Sequence, residues 1–193
     1  MRKLFLLALL SIVPSVSFAR EEVDIHREHT FIAFSTSTLE TSTVTVALMN
    51  NTNSGVVLRI ISVKIMADPD AAVTGLNTAF LLRRITGVTV GLGQDATNQI
   101  VRADHGDPVL ASLVKLTRMP ASVSVAASAG SIGSVTMSSE ETTAQDNPKT
   151  LYEYGNKGDT PLTLRPGQGI SVDQGALAVA AGIVGVQIIF TQE

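Results

Sequence analysis

"TSTVTVALMNNTNSGVVLRIISVKIMA", Thr41 to Ala67, is the stretch on which the fold turns. In its first part Val44, Val46 and Leu48 alternate with Thr43, Thr45 and Ala47, the period of two that a strand with one buried face requires. That pattern predicts a strand with the three aliphatics facing in and the threonines and Ala47 facing out or packing loosely. "NNTNSG" follows, a cluster of turn formers ending in a glycine that takes positive φ without strain. The next run is again apolar and β-branched, so Thr43 to Met66 predicts an antiparallel hairpin. Arg59 and Lys64 lie five apart, on opposite faces of a regular strand, which predicts a bulge or two-sided burial there.

Similar signals recur outward from this unit. In "HTFIAFSTS" Phe31, Ala33 and Ser35 share one face, with Ile32 and Phe34 on the other. "AFLLRRITGVTVG" is extended, and the long polar stretch "GLGQDATNQIVRADHGDP" is of a kind that often touches partners. "VLASLVKLTRM", within 108–119, fits a short helix and a strand equally well. "ASVSVAASAGSIGSVTMSSE" alternates small residues, as strands do when a neighbour approaches closely. In the final run Val184, Val186, Ile188 and Phe190 alternate with Gly185, Gln187 and Ile189, the pattern of a core strand. Eight or so short strands between turn signals, with little helix, predict an all-β antiparallel sandwich, with a jelly roll the favoured form.

Composition agrees. The chain of 193 residues is 45% hydrophobic but only 4% aromatic, so Val, Ile, Leu and Ala carry the core. Its length predicts one domain, residues 30–193, behind an arm. The net charge of −3, with no basic stripe, excludes the electrostatic footprint of a nucleic-acid binder. Absence of cysteine excludes disulfides, thiolate metal sites and cysteine nucleophiles. Residues 1–19 have the parts of a secretory signal: Arg2 and Lys3, the apolar Leu4 to Val13, and the small-x-small site Ser17-Phe18-Ala19. Residues 20–29, "REEVDIHREH", form a charged arm or linker. Neither the N-terminal run nor the glycine-interrupted C-terminal one is long enough for a stable membrane span.

Several residue sets in the sequence bear on chemistry. Gly91-Leu92-Gly93 and Gly167-Gln168-Gly169 lack the third glycine and following helix of a dinucleotide fingerprint. In "LRPGQGISV" Pro166 and Gly167 instead suit the two central positions of a type II turn. His26 and His29, with Asp24 or Glu28, have the spacing of a metal pair on a helix, but a solvated arm is the expectation. Asp68 with Asp70, and Asp104 with Asp107 beside His105, are acidic pairs expected to cap turns rather than hold calcium. No Gly-x-Ser-x-Gly elbow occurs. Asn50-Asn51-Thr52 matches a glycosylation sequon that a hairpin turn would expose. No catalytic, cofactor-binding or metal residue is therefore predicted, and the protein is read as no enzyme.

Two stretches together, "VALMNNTNSGVVLRIISVKI" and "YEYGNKGDTPLTLRPGQGISV…VGVQIIFTQE", resemble tailed-phage virion proteins of the capsid-decoration, head-fibre or tail-associated type. "RRITGVTVGLGQDATNQIVRADHGDPVL" is similar to the middle of the same pattern. The resemblance spans most of residues 43–192 and is carried by turn motifs. This chain departs from it in having no proline in the first turn, Gln168 in place of an acidic residue, and the signal-like N-terminus. The resemblance implies a non-enzymatic virion subunit that self-associates, as a trimer or higher, against neighbouring capsid subunits. The signal-like segment supports a rival expectation, a secreted bacterial filament or surface-matrix subunit whose arm completes a neighbour's sheet. A carbohydrate-binding module ranks third, since only Tyr152, Tyr154 and six phenylalanines are available to stack on sugars.

Overall fold

A computed structural model describes residues 29–38, 44–67, 76–89, 94–118, 122–125, 130–139, 148–155, 160–175 and 183–193. The signal-like segment, the arm before His29, Asp68, Asp70, Gly91 and Gly93 lie outside the described residues.

The strands run β1 (His29–Thr38), β2 (Val44–Asn50), β3 (Leu58–Ala67) and β4 (Leu76–Thr89). Three short ones follow, β5 (Gln94–Asp95), β6 (Ile100–Arg102) and β7 (Val114–Arg118), with a 3-10 turn at Thr97–Gln99 before β6. Then come β8 (Ser122–Val125), β9 (Ser131–Ser139) and β10 (Lys149–Glu153). The last are β11 (Leu162–Leu164), β12 (Gln168–Gln174) and β13 (Ile183–Gln192). Sheet A is ordered β10-β3-β13-β1-β6, with β11 also on β3. Sheet B is ordered β5-β7-β2-β12-β4-β8, with β9 also on β4.

Among the described residues every pairing is antiparallel, and together the pairings describe one folded ribbon. The first four strands pair with later ones in reverse order: β1 with β13, β2 with β12, β3 with β10 and β11, β4 with β9. Rolling that ribbon brings β13 beside β3 and β12 beside β4, which completes two facing sheets. This is the jelly roll that the strand count and turn spacing predict. Residues 94–118 are inserted between β4 and β8. Their strand β6 extends sheet A beyond β1, while β7 and β5 extend sheet B beyond β2.

The core lies between the sheets and follows the alternation closely. Phe31, Ala33, Val184, Val186, Ile188 and Phe190 are all buried on the inner side of sheet A, and the Phe31 and Phe190 rings stack with centroids 5.5 Å apart. Leu48, Leu82, Leu116 and Val172 meet them from sheet B. The bulge predicted between Arg59 and Lys64 is present at Ile61: Ser62 lies opposite Ile189 and Ile60 opposite Phe190. One extra residue lets Leu58, Ile60, Val63 and Ile65 all point inward, so Arg59 and Lys64 share the outer face.

Three expectations are corrected. The hairpin from Thr43 to Met66 does not form, because β2 belongs to sheet B and β3 to sheet A. The link 51–57 is longer than a two-residue hairpin loop, and the Asn50 side-chain amide ties it across the sandwich. Asn50 Nδ2 donates to Val56 O at 2.9 Å and to Leu164 O at 3.0 Å. For the same reason the sequon is not exposed: Asn50 is fully buried. Thirdly, β2 is buried on both faces. Val44 joins Ala47 and Met49 in a second apolar cluster, through a bulge opposite Val172 and Asp173, while Val46 and Leu48 keep the inward places predicted for them. The ambiguous 108–119 segment contains strand β7, whose Val114 and Leu116 fill the inner face.

Candidate functional site

One feature that can take a partner is the edge of sheet A at β6, which ends the described strand order. It is built by the polar stretch after β4. Arg102 Nη1 donates to Asp107 O at 2.7 Å, and Gly106 N–H donates to Asp104 Oδ1 at 2.9 Å, so the turn after β6 is tightly held. His29, the first residue of β1, donates from Nδ1 to Asp107 Oδ1 at 3.2 Å. Beside the edge is an apolar groove of about 270 Å³, floored by Phe31, Ile100 and Leu110 and rimmed by Arg102 and His105. Two valines stand into solvent there, Val101 at 55% and Val109 at 78% exposure.

Aliphatic side chains this exposed, over a groove that opens toward the core, make a surface for apolar contact. The edge adds main-chain donors and acceptors, the means by which an extended peptide is held. The volume falls below the roughly 300–1,000 Å³ of small-molecule pockets.

A second, polar groove of about 500 Å³ lies at the β11 end of sheet A, between Arg59, Glu193, Thr163, Arg165 and Pro166. Arg59 Nη2 and Glu193 Oε1 are 2.8 Å apart there, and both side chains are more than a third exposed, so solvent screens the pair. Of the two tyrosines that a sugar would stack on, Tyr152 is committed to structure: its hydroxyl accepts the Leu162 N–H at 2.8 Å. Tyr154 is exposed.

The Gly-x-Gly after β11 is a turn with a packing role. Gln168 N–H donates to Arg165 O at 2.9 Å, closing four residues, and Gly167 sits at φ +85°, as type II geometry demands of its third residue. Gly169 serves differently. It lies between Met49 and Ile85 on the outer face of sheet B, where a Cβ would come within 2.9 Å of Ile85 Cγ1 and within 2.6 Å of Leu48 O. On the same face Asp173 is buried. Its Oδ2 is 3.3 Å from Arg83 Nε, and its Oδ1 has no hydrogen-bond partner among the described residues. Burial raises the Asp173 carboxyl above the usual carboxylate range, against the pull of the Ser171 hydroxyl and the Arg83 guanidinium.

Of the residues singled out in sequence, the structure brings His29, Asp104, His105 and Asp107 together at the β6 turn. Asp104 caps that turn, as loop aspartates do. Among the described residues, no group of three or more His, Asp or Glu side chains is placed to hold a metal ion, and no helix is long and apolar enough to cross a membrane. Sequence reasoning missed Val101 and Val109, because a lone valine in a polar stretch reads as incidental. It missed Asp173 too, although a carboxylate inside an alternating apolar strand was a visible signal. Compared with known proteins, the chain matches no family model, no curated relative and no solved structure.

Proposed function

We propose that this protein is a structural assembly subunit, of the capsid-decoration or fibre type in a virion, packing in many copies as a trimer or higher. The observation that carries the reading is the β6 edge, where Val101 and Val109 stand exposed above an apolar groove on an otherwise alternating jelly roll. Exposed aliphatics rimmed by polar residues are characteristic of protein contact surfaces. The resemblance of its turn motifs to those of tailed-phage virion proteins supports the virion setting. Light scattering over a concentration series tests the reading. The expected mass is that of a trimer or larger, and a constant monomer mass overturns it.

The signal-like residues 1–19 favour one second reading, a secreted filament or surface-matrix subunit. N-terminal sequencing of protein from its native source separates the two. Arg20 at the start supports secretion, and Met1 supports the virion.

A further inference from the structure

We propose that the β6 edge receives the N-terminal arm of a second copy, residues 20–28, as an added strand. The inference rests on the assembly reading and names the contact that the assembly uses.

The edge has the right main-chain geometry. Ala103 N–H donates to Thr30 O at 2.8 Å, so on the antiparallel ladder Thr30 with Ala103, and Ile32 with Val101, are the hydrogen-bonded pairs. Ile100 and Arg102 therefore turn their main-chain groups away from β1, toward the open side. The Ile100 N–H is taken by Thr97 O. The Ile100 carbonyl and both main-chain groups of Arg102 face the edge.

The arm has the matching pattern. It reads "REEVDIHRE", and Val23 and Ile25, two residues apart, fall on one face of an extended chain. Laid along β6, that face points to the groove floored by Phe31 and Leu110. Glu21, on the same face, brings a carboxylate to Arg102 and His105 at the rim. Asp24 faces outward beside Val101. Strand addition of this kind takes affinity from main-chain bonds and specificity from pockets for alternate side chains.

A second copy is the simpler donor. The start of β1 is held on the near side of β6 by the contacts of His29 with Asp107 and of Thr30 with Ala103. The chain's own arm would have to cross two strand spacings of about 4.8 Å around that turn. The crossing takes about three residues at full extension. An arm from a neighbour meets no such detour.

The chain has no cysteine, so a cysteine pair tests the contact without background. Full-length Asp24→Cys and Val101→Cys proteins are mixed in equal amounts and oxidised. Opposed residues on neighbouring strands lie about 4.5–5.5 Å apart at Cα, inside the range of a disulfide. The mixture is expected to give at least tenfold more cross-linked dimer than either variant alone. Glu22→Cys or His26→Cys giving that dimer in place of Asp24→Cys supports the same contact in a shifted register. If the mixture still forms oligomers by light scattering but none of the three pairs cross-links, the arm inference falls and the assembly reading stands. If the native chain is a monomer, both fall. A cross-link within one chain of the Asp24→Cys/Val101→Cys double variant assigns the edge to the chain's own arm and overturns the proposal.

Discussion

The outer faces of the two sheets are finished in different ways. On sheet B, Met49 and Ile85 lean over Gly169, and Ala47, Ser171 and Ile85 are almost wholly buried. On sheet A, Phe34 lies over Gly185 yet stays 41% exposed, and Val101, opposite Ile32 on the β1–β6 ladder, is more exposed still. Small residues beneath long aliphatics close a sheet face locally. At the β6 edge Val101 has a neighbouring strand on one side only among the described residues, and its side chain stays in water. One face thus contributes to the stability of the chain itself, while the other is available for a contact.

That contrast predicts a graded response to substitution. Ile85→Ala, on the closed face, should destabilise by about 2–4 kcal/mol in chemical denaturation, because the cavity beside Met49 cannot collapse onto a glycine. An Ile85→Ala chain as stable as the parent would show that the second cluster is loosely packed. Gly169→Ala should cost about 1–3 kcal/mol, since the added methyl meets the Leu48 carbonyl. Gly167→Ala should cost about 1 kcal/mol or more for a different reason, its positive φ. The two are told apart by Gly167→Asn, which tolerates that φ and should recover part of the loss, whereas Gly169→Asn should not.

Asp173 sharpens the same comparison through pH. Its folded-state pKa is raised by burial, so the native state holds a proton that the unfolded chain has released. Its contribution is fully present below the ordinary carboxylate range and is lost as pH rises through the folded pKa. Asp173→Asn should therefore be more stable than the parent at neutral pH. The advantage should shrink in acid, as read from denaturation midpoints at several pH values. The smallest expected effect on stability is at the open edge. Val101→Asp should shift it by less than about 1 kcal/mol.

Much of the architecture was legible in the residues. Alternation in Phe31 to Ser35 showed which side chains share a face, in Val184 to Phe190 it marked a core strand, and the spacing of Arg59 and Lys64 pointed to a bulge or two-sided burial, of which the bulge at Ile61 is present. Pairing was not legible. "NNTNSG" has the residues of a hairpin turn, yet the sheet to which a strand belongs depends on partners more than a hundred residues away, β12 for β2 and β13 for β3. The burial of Asn50 follows from the same long-range pairing, through Leu164. The candidate edge was hidden for a related reason. Val101 and Val109 become a surface only when residues 94–118 are laid against β1, and no local pattern predicts that.

The central claim is that this jelly roll is made to meet copies of itself at the β6 edge. Light scattering of the parent chain and Val101→Asp at matched concentrations tests it most directly, with thermal unfolding as the control for folding. In the assembled state the new carboxylate would face Asp24 of a neighbour, a like-charge pair that opposes strand addition. The account predicts a trimer or larger for the parent and a marked fall in mass for the variant, at nearly unchanged melting temperature. Equal masses for two folded proteins would contradict it.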